Sequence, residues 1–575
     1  MKIKIISVIL AIAILLPCLC TDVSAQSSIL GRKYDRRAEL LTELLMEDEK
    51  TLEKIEELDR ATVFISVSDS YNQAVTVYSS AKKLETALSR ALDKAKATGV
   101  QPIWFKLDVV TEVEEIKYTD FIAQYKDSRL KYSLRKGISF NNYFGRALLE
   151  TQINSNGFLS YETGELDLIK INRYFAKSRK LSLSKIPETL YLFETQSYFS
   201  DSGSSAYKLT APSKSKGGSR SYETDPAALE ELAMNTSSYL ANICDSEGKF
   251  IYGCYPIDNE EIEGYNIIRH AGTVWNLILQ YEMTGDKALL DPIERALGYL
   301  ETYIHYKDSS TAFINDRGTL NVGGNGISLL AYTSYAEATG SRKYDSLIRA
   351  LANGVLYLQK ENGGFIHTIK KSDYSVYQEY IIVYYDGEAM YGLLKAFGLL
   401  KDGRYLAAAK RAGDYFIANN YEDLHSHWIA YSFNELTKYS PEEKYFEFGL
   451  KNINGYLDTI NRTISASHTT CETTGATFEL YDRLMKSGIK CDYLEEFDDE
   501  LLLTAFQKRV NYGMNFFMSP EKAMYFKNPR IVLNSFVVRE DSFRIRIDDI
   551  QHFMGGYYLY YKNYDSVKEY TEEKE

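Results

Sequence analysis

Apolar side chains recur every three to four positions along most of the chain, which is the spacing of amphipathic helices. In the C-terminal part a first helix ends in a Gly-containing turn at 283–286, 338–341 and 401–404, and a second helix follows at once. Extended Gly-Phe segments recur behind the second helices, at 248–251 and 363–366. Repeats spaced by roughly 40–60 residues indicate stacked supersecondary units.

The helix pairs can be counted. First helices are predicted to begin near Ala271, Gly326, Glu388, Trp428, Glu472 and Asp549. Second helices are predicted at 226–243, 287–305, 342–359, 405–419, 441–460 and 495–514. The first set is rich in small residues and the second is charged on one face, so the first set is predicted to lie inside. Six helices of each kind, with the last first-set helix packing against 226–243, predict an (α/α)6 toroid. An open helical solenoid is the alternative, although its repeats are shorter and stricter.

The N-terminal part has a different pattern. Helical spacing covers 36–60, 84–97 and 141–156, and strands are predicted at 62–68, 74–78 and 102–110. We therefore predict an α+β N-terminal domain followed by an all-α (α/α)6 toroid. The domain bounds are 30–200 for the α+β domain, interpreted as a binding or docking unit, and 226–565 for the toroid. The Ser/Gly-rich stretch 201–225 is predicted to be a linker or a long surface loop.

The first 25 residues have the features of a targeting segment. Lys2 and Lys4 precede an apolar run at 5–16, and a small-residue cleavage pattern ends at Ala25. This predicts a secretory signal peptide at 1–25, and the run is too short for an ordinary membrane span. Acylation at Cys18 or Cys20 is a weaker alternative. The mature protein is expected to be exported to the periplasm, the cell surface or the medium, without a membrane span.

Four cysteines remain after cleavage: Cys244, Cys254, Cys471 and Cys491. An even number in an exported chain is compatible with two disulfides, of which 244–254 and 471–491 are the simplest pairs. Four buried free thiols are the alternative. No CxxC spacing occurs, so the cysteines do not predict a zinc site.

Composition narrows the class of partner. There are 67 Lys and Arg against 79 Asp and Glu, which gives a net charge of −12. Because phosphate neutralisation requires clustered basic residues, no nucleic-acid partner is predicted. The chain contains 48 Tyr, a side chain that suits stacking on sugar rings as well as core packing.

Polar residues concentrate at the starts of the predicted inner helices, which meet at one mouth of a toroid. Glu379 and Glu388 are the best candidate carboxylates, because a pair of acids flanks the scissile sugar bond in glycosidases. Asp548 and His552 are four residues apart and share a helix face. Metal binding by His425 and His427 is not expected, because the segment leads into a helix and only a strand directs both rings one way. No cofactor is predicted. The candidate catalytic residues are Glu388, Glu379, His270, Asp548 and His552. The candidate substrate-binding residues are Arg269, Trp275, Tyr384, Tyr385, His427, Trp428 and Arg546.

Three segments carry a family resemblance: 269–275 (RHAGTVW), 362–365 (NGGF) and 384–390 (YYDGEAM). Together they resemble the (α/α)6-toroid superfamily of six-hairpin glycosidases, N-acylglucosamine 2-epimerases and uronyl C5-epimerases. The order Gly363-Gly-Phe, Gln378-Glu-Tyr, Gly387-Glu-Ala is similar to the C-terminal domain of D-glucuronyl C5-epimerases. The resemblance implies an exported protein that acts on a glycan, and Arg269, Arg544 and Arg546 suit an acidic one.

The predicted function is processing of a polysaccharide or oligosaccharide by a glycoside hydrolase or a uronyl epimerase or lyase. Two alternatives stay open at this stage. One is a non-catalytic glycan-binding or assembly protein of a polysaccharide export system. The other is a structural helical scaffold. The sequence does not predict the oligomeric state.

Overall fold

The computed structural model describes residues 29–126, 134–179, 181–210, 218–378 and 382–574. The signal peptide predicted at 1–25 lies outside these residues, and so does the candidate Glu379. Within the described ranges, none of the helices combines the length and the apolar character that crossing a membrane requires.

The N-terminal part is built on a seven-stranded antiparallel sheet. The strand order is β2-β1-β3-β6-β4-β5, and β7 pairs with β6. The strands are β1 Ala61–Ser68, β2 Val75–Ala81, β3 Trp104–Lys117, β4 Gly137–Ser139, β5 Ala147–Leu148, β6 Thr189–Ser200 and β7 Tyr207–Lys208. The helices are α1 (29–46), α2 Glu49–Glu56, α3 Leu84–Lys96, α4 Tyr118–Tyr125, α5 Glu150–Ser155 and α6 Leu168–Arg179.

The three predicted strands are present, but the helix predicted at 141–156 is wrong. Only its last part, α5, is helical, and β5 precedes it. The Asn141 side chain accepts a hydrogen bond from the Tyr143 amide at 3.2 Å, and Phe144 takes a φ of 58°. Because Asn readily forms such side-chain turns, the chain reverses here instead of starting a helix.

Both faces of the central strand β1 are buried. Along β1, Ile65 packs into a cluster under α1 and α3, whereas its neighbour Phe64 packs into the large core that continues into the C-terminal part. The segment predicted as a linker is partly built into this contact. Arg220 makes ion pairs with Asp201 at 2.8 Å and with the fully buried Glu521 at 3.0 Å.

The C-terminal part is a double layer of helices. The inner helices are α8 Ile267–Thr284, α10 Val322–Thr339, α12 Tyr385–Leu400, α14 His427–Tyr439, α17 Thr469–Ser487 and α20 Ile547–Lys562. The outer helices are α7 Pro226–Asn242, α9 Leu290–Glu301, α11 Asp345–Leu358, α13 Gly403–Ala418, α15 Glu443–Asn454 and α18 Asp499–Gly513. Three further helices are α16 Leu457–Arg462, α19 Pro520–Ala523 and α21 Tyr564–Lys574.

Short strands connect the helices. They form two antiparallel sheets, β10-β11-β12-β13-β14 and β15-β8-β9. Their bounds are β8 Gly253–Tyr255, β9 Glu260–Glu261, β10 Ile304–Asp308, β11 Thr311–Asp316, β12 Thr319–Asn321, β13 Thr368–Lys370, β14 Val376–Gln378 and β15 Ile545–Arg546.

The inner helices form a closed ring. Each one contacts the next in the order α8, α10, α12, α14, α17, α20, and α20 returns to α8 while α7 packs outside both. This confirms the predicted ring and shows that the open solenoid is wrong. Glycine allows the close approach of α10 and α12. A Cβ on Gly326 would lie 2.2 Å from the Glu388 carbonyl oxygen, and one on Gly392 would lie 2.7 Å from the carbonyl oxygen of Gly326.

The predicted helix-ending turns are also present. Gly285 and Gly340 end α8 and α10 with φ of 65° and 71°, as expected for left-handed C-terminal caps. In the third copy Lys401 takes this conformation, with φ of 57°, and Gly403 instead begins α13. The four cysteines within the described ranges are buried free thiols, so neither simple disulfide pair forms among them.

Candidate functional site

A cavity of about 330 Å³ opens where the N-terminal ends of the inner helices meet. Nine of the twelve predicted site residues line it: Arg269, Tyr384, Tyr385, Glu388, His427, Trp428, Arg546, Asp548 and His552. Asn266, Ile268, Ile327, His468, Thr469 and Gln551 complete the lining. The predicted mouth of the ring is therefore a real concave site.

Local hydrogen bonds set the helix starts that carry these side chains. Asn266 caps α8 by accepting bonds from the amides of Ile268 and Arg269 at 2.9 and 3.1 Å. Before α12, the Nδ1 atom of His367 accepts a bond from the Ile382 amide at 2.8 Å, and its Nε2 lies 3.1 Å from an Asp386 oxygen. These contacts bring Arg269, Tyr384 and Tyr385 to the rim of the cavity.

Three histidines from three inner helices come together in the cavity. The rings of His427 and His552 are perpendicular, with centres 5.0 Å apart, and His468 lies 5.2 Å from His552 on the other side. The buried Nε2 of His427 and the buried Nδ1 of His468 have no hydrogen-bond partner among the residues described. A buried polar atom without a partner is costly, and in a cavity it is available to a ligand.

His552 has a carboxylate partner. Its Nδ1 donates to Oε2 of the fully buried Glu472 at 2.7 Å, and the other oxygen of Glu472 accepts from the Tyr431 hydroxyl at 3.1 Å. Burial by itself lowers the pKa of His552, but the Glu472 carboxylate outweighs burial and raises it. The pKa of His427 is well below its ordinary value, because of burial and the neighbouring histidines. The two pKa shifts are thus opposite in direction, toward the protonated form for His552 and toward the neutral form for His427.

Glu388 is a buried carboxyl group whose Oε2 has no hydrogen-bond partner in the described part of the chain. Burial raises its pKa to about 8, a shift that His552 only partly opposes. At neutral pH the group is therefore mainly a protonated acid. Gly323 faces it across the helix contact, since a Cβ there would lie 2.2 Å from Oε2.

The basic and acidic groups on the α20 side pair with each other. The Arg546 guanidinium donates to both oxygens of Asp548, and Arg269 Nε lies 3.0 Å from Oδ2 of the same carboxylate. Burial works to raise the pKa of Asp548, but the two arginines outweigh it and hold the pKa below its usual range. Arg544 binds Asp549 through two bonds of 2.9 and 3.0 Å.

Two predicted site residues lie elsewhere. His270 is fully buried, where its Nδ1 accepts from the Tyr265 hydroxyl at 2.7 Å and its Nε2 donates to the Ala296 carbonyl at 2.9 Å. Both ring nitrogens are occupied, so His270 joins α8 to α9 and does not face the cavity. Trp275 points toward the other end of the ring, where it lines a separate cavity.

His427, Glu472 and His552 are the described residues that could hold a metal ion, since one donor atom from each lies within 4.8 Å of the others. Two ligands of one ion at about 2.1 Å can be no more than about 4.2 Å apart. Metal binding would thus require the side chains to draw together and the 2.7 Å Glu472–His552 bond to be given up. The observed geometry is that of a proton-sharing pair. His425, the other predicted histidine of this segment, donates from Nδ1 to the Asn452 carbonyl at 2.8 Å.

Sequence reasoning did not select Glu472 and His468 as site residues. The signal that selected Glu388 was an acid within a predicted helix of small residues, the segment DGEAMYG. The same signal was available for Glu472, which lies in the segment TTCETTGAT. An ionisable group in such a buried helix requires a polar partner from another helix.

Comparisons with known proteins identify similar folds only. No family model matches the chain, and no curated protein is similar in sequence. Among solved structures, a D-mannose isomerase is 14% identical over 60% of this chain and 100% of its own, with a TM-score of 0.46. An unsaturated glucuronyl hydrolase specific for heparin is 13% identical over 59% of this chain and 98% of its own, with a TM-score of 0.43. A cellobiose 2-epimerase from Bacillus thermoamylovorans is 11% identical over 51% of this chain and 89% of its own, with a TM-score of 0.41.

Proposed function

We propose that this protein is a glycan-acting enzyme that moves a proton at a sugar carbon, the step shared by epimerases, isomerases and lyases. The observation that carries the proposal is the pair His427 and His552, whose perpendicular rings lie 5.0 Å apart in the wall of the cavity. Two imidazoles whose pKa values are shifted in opposite directions suit the acid and the base of one reaction.

The two histidines have different roles. His427 is neutral at pH 7 because its pKa is low, and its unpartnered nitrogen can accept a proton from carbon. The Glu472 carboxylate shifts His552 toward its protonated form, so His552 can deliver a proton to a substrate carbon or to a leaving oxygen. Glu388, protonated below a pKa of about 8, is a second donor that can polarise a substrate oxygen.

The rest of the cavity suits a sugar. Trp428 and Tyr384 offer aromatic faces, and Tyr384 is 53% exposed at the rim. The Arg269 side chain is 38% exposed and reaches the same opening, where it can donate to a hydroxyl or a carboxylate. A volume of about 330 Å³ is at the small end of ligand sites and matches one sugar unit.

Hydrolysis is less well supported by the same geometry. A glycosidase needs a protonated acid and a second carboxylate that is free to act as nucleophile or base. Glu388 fits the acid, but both oxygens of Asp548 accept bonds from Arg546, and one also contacts Arg269. Glu472 is also buried, and it is bound to His552 and Tyr431.

Proton NMR in D2O tests the proposal on a panel of reducing sugars, neutral glycans and uronic-acid glycans. We expect deuterium to replace one ring proton, and the exchange to be lost in His427→Asn and His552→Asn while the proteins stay folded. His305→Asn is the matched control, because His305 stacks on Tyr374 outside the cavity. New reducing ends without deuterium would indicate a hydrolase. Line broadening alone would indicate a binding protein. Spectra that do not change at all would indicate a structural scaffold.

Export remains part of the proposal. A secretory signal peptide at 1–25 would place the enzyme where polysaccharides are assembled or degraded. Expression of the full chain in a bacterial host, followed by N-terminal sequencing of the protein recovered outside the cytoplasm, tests it. A mature chain that begins at Gln26 is expected, and retention of Met1 in the cytoplasm would contradict export.

A further inference from the structure

A second cavity, of about 220 Å³, lies at the other end of the ring, where the inner helices end. We call it the opposite cavity. All six inner helices contribute to its lining, which shares no residue with the cavity at the mouth. No reacting group proposed above lies in it. Trp275, which the sequence predicted to bind substrate, lies here and has no role at the mouth.

Three hydrogen-bonding groups on the floor of the opposite cavity have no partner among the described residues. They are the indole N–H of Trp275 and the hydroxyls of Ser334 and Tyr391. Their residues are only 3%, 3% and 9% exposed, yet none of the three polar atoms is sealed off from its surroundings. Residues so deeply buried are reached through the cavity that they line, so these groups face it. The floor therefore leaves three hydrogen bonds for a ligand to make.

Aromatic rings form the same floor. Tyr391 and Tyr431 stack with ring centres 5.3 Å apart and planes 8° apart, and the ring of Trp275 stands nearly perpendicular to both. Burial, followed by the carboxylates of Glu435 and Glu479, raises the pKa of Tyr391 well above its ordinary value, so its hydroxyl stays a donor at neutral pH. Apolar rings with polar tips suit a ligand that carries both C–H and O–H groups.

The walls above the floor are charged but balanced. Each lysine of the lining pairs with a different carboxylate: Lys395 with Glu337 at 2.6 Å, Lys438 with Glu435 at 2.7 Å and Lys562 with Glu479 at 3.5 Å. The fourth acid of the lining, Glu282, accepts a bond from the Tyr558 hydroxyl at 2.6 Å. Arg483, which donates to the lining residue Asn434 at 2.9 Å, is a fourth cation.

This balance favours a neutral ligand. A charged ligand would have to break one of the ion pairs and leave its partner uncompensated. A hydroxyl group can instead donate to a paired carboxylate and accept from a paired ammonium. On a scale where one ordered water needs about 10–15 Å³, the cavity holds about 15–20 waters, which is room for a hexose ring with its hydroxyls.

We propose that the opposite cavity is a binding site for one neutral sugar unit, whose hydroxyl groups bond to Trp275, Ser334 and Tyr391. A free monosaccharide and the end of a glycan chain share this chemistry. The sugar lies on the far side of the aromatic floor from the mouth, so it is bound and not turned over. The site is independent of the proton transfer proposed at the mouth.

Calorimetric titration and thermal unfolding of the whole protein test the site. The probes are glucose, mannose and galactose, their methyl glycosides, and the charged analogues glucuronate and glucosamine. We expect at least one neutral sugar to bind saturably and to raise Tm, and its charged analogue to bind at least tenfold more weakly. Equal affinity for a methyl glycoside indicates a glycan end, and tighter binding of the free sugar indicates a monosaccharide. No saturable binding across the neutral probes, or equal binding of the charged ones, would overturn the proposal.

Tyr391→Phe locates the bound sugar. Because the Tyr391 hydroxyl has no protein partner, its removal should leave the Tm of the free protein unchanged and weaken the sugar Kd about three- to tenfold. Tyr332→Phe is the matched control. Tyr332 is fully buried outside both cavities, and its hydroxyl donates to the Leu297 carbonyl at 3.2 Å. That variant should lower Tm and leave Kd unchanged.

Two further variants separate the cavities. Ser334→Ala removes a second floor hydroxyl and should weaken Kd as Tyr391→Phe does, whereas Tyr384→Ala changes only the mouth and should leave this Kd unchanged. A Kd that responds to Tyr384→Ala but to neither floor variant would place the sugar at the mouth and contradict the proposal. The titration requires no turnover, so its outcome is separate from that of the deuterium-exchange experiment.

Discussion

The two ends of the helical ring each contain a cavity, and the two cavities differ in how their buried acids and bases are partnered. The mouth cavity, of about 330 Å³, lies at the N-terminal ends of the inner helices. The opposite cavity, of about 220 Å³, lies at their C-terminal ends. In the opposite cavity the charges are paired: Lys395 with Glu337 at 2.6 Å, Lys438 with Glu435 at 2.7 Å and Lys562 with Glu479 at 3.5 Å.

The pKa shifts separate the two ends in the same way. At the opposite end, burial works to raise the pKa of Glu479, but Lys438 and Lys562 outweigh it and lower the pKa to about 2. At the mouth, burial dominates and favours the neutral forms of Glu388 and His427. Paired charges stabilise a fold, whereas neutral, unpartnered acids and bases in a cavity are available for proton transfer. Two cavities in one scaffold therefore need not have the same function.

The largest difference is expected from histidine substitution. His552→Asn removes the proton that Glu472 holds in place, and loss of a general acid costs about 10²–10⁴-fold in rate. We expect kcat to fall at least about 10³-fold, and Tm to fall as well because the fully buried Glu472 loses its imidazole partner. Lys438→Met at the opposite end is the comparison and should leave kcat within about twofold. Equal loss of activity in the two variants, measured on the substrate identified by NMR, would remove the distinction between the ends.

The second prediction concerns the pH dependence of stability. The pKa of Glu388 is raised from 4.5 to about 8, so between these values the folded state binds one proton more than the unfolded state. This contribution is fully present below pH 4.5 and is lost as pH rises toward 8. Relative to Glu388→Gln, the unfolding free energy of the wild type should fall by up to about 1.4 kcal/mol per pH unit in that window.

Urea unfolding of both proteins at pH 5, 6, 7 and 8 measures this difference. Glu435→Gln is the control from the opposite cavity, because the pKa of Glu435 is lowered, not raised. In Glu435→Gln, the unfolding free energy should decline between pH 5 and 8 as steeply as in the wild type. Parallel stability curves for the wild type and Glu388→Gln would show that Glu388 is ionised throughout.

The third prediction breaks the paired network. Lys395→Met leaves Glu337 and Glu435 without their shared cation in the opposite cavity. Loss of one partner from this partly exposed ion pair, whose side chains are 18% and 35% exposed, should lower the unfolding free energy by about 1–2 kcal/mol and leave kcat unchanged. Lys486→Met, which removes an exposed pair with Asp482, should cost less than about 1 kcal/mol. A similar small loss in both variants would show that the network is not stabilising.

The smallest expected effect concerns the rim. Tyr384 is 53% exposed, and its ring centre lies 6.1 Å from that of His427. Because aromatic stacking is worth about 1 kcal/mol, Tyr384→Ala should raise KM about three- to tenfold with kcat nearly unchanged. Tyr306→Ala, at a residue of equal exposure on β10, is the control and should change neither constant. A fall in kcat without a change in KM would give Tyr384 a chemical role.

Much of this architecture could be predicted from residue patterns. The 3.6-residue period, the recurrent Gly turns and the contrast between small-residue and charged helices indicate a two-layer ring. Position at a helix start was enough to place Arg269, Glu388 and Trp428 at the mouth, because the N-terminal ends of the inner helices all lie on one side. The helix predicted at 141–156 failed because periodicity does not register a side-chain turn such as that of Asn141.

In the C-terminal part, the sequence by itself determined where the helices of the ring lie, which of them lie inside and which of their ends meet. Only the tertiary structure decided which side chains face one another. His270 and Arg269 are adjacent in sequence, yet one is sealed in the core and the other lines the cavity. Glu472 and His552 are 80 residues apart and share a hydrogen bond. A helical period records burial along one helix, whereas a contact across the ring depends on the rotation and spacing of several packed helices at once.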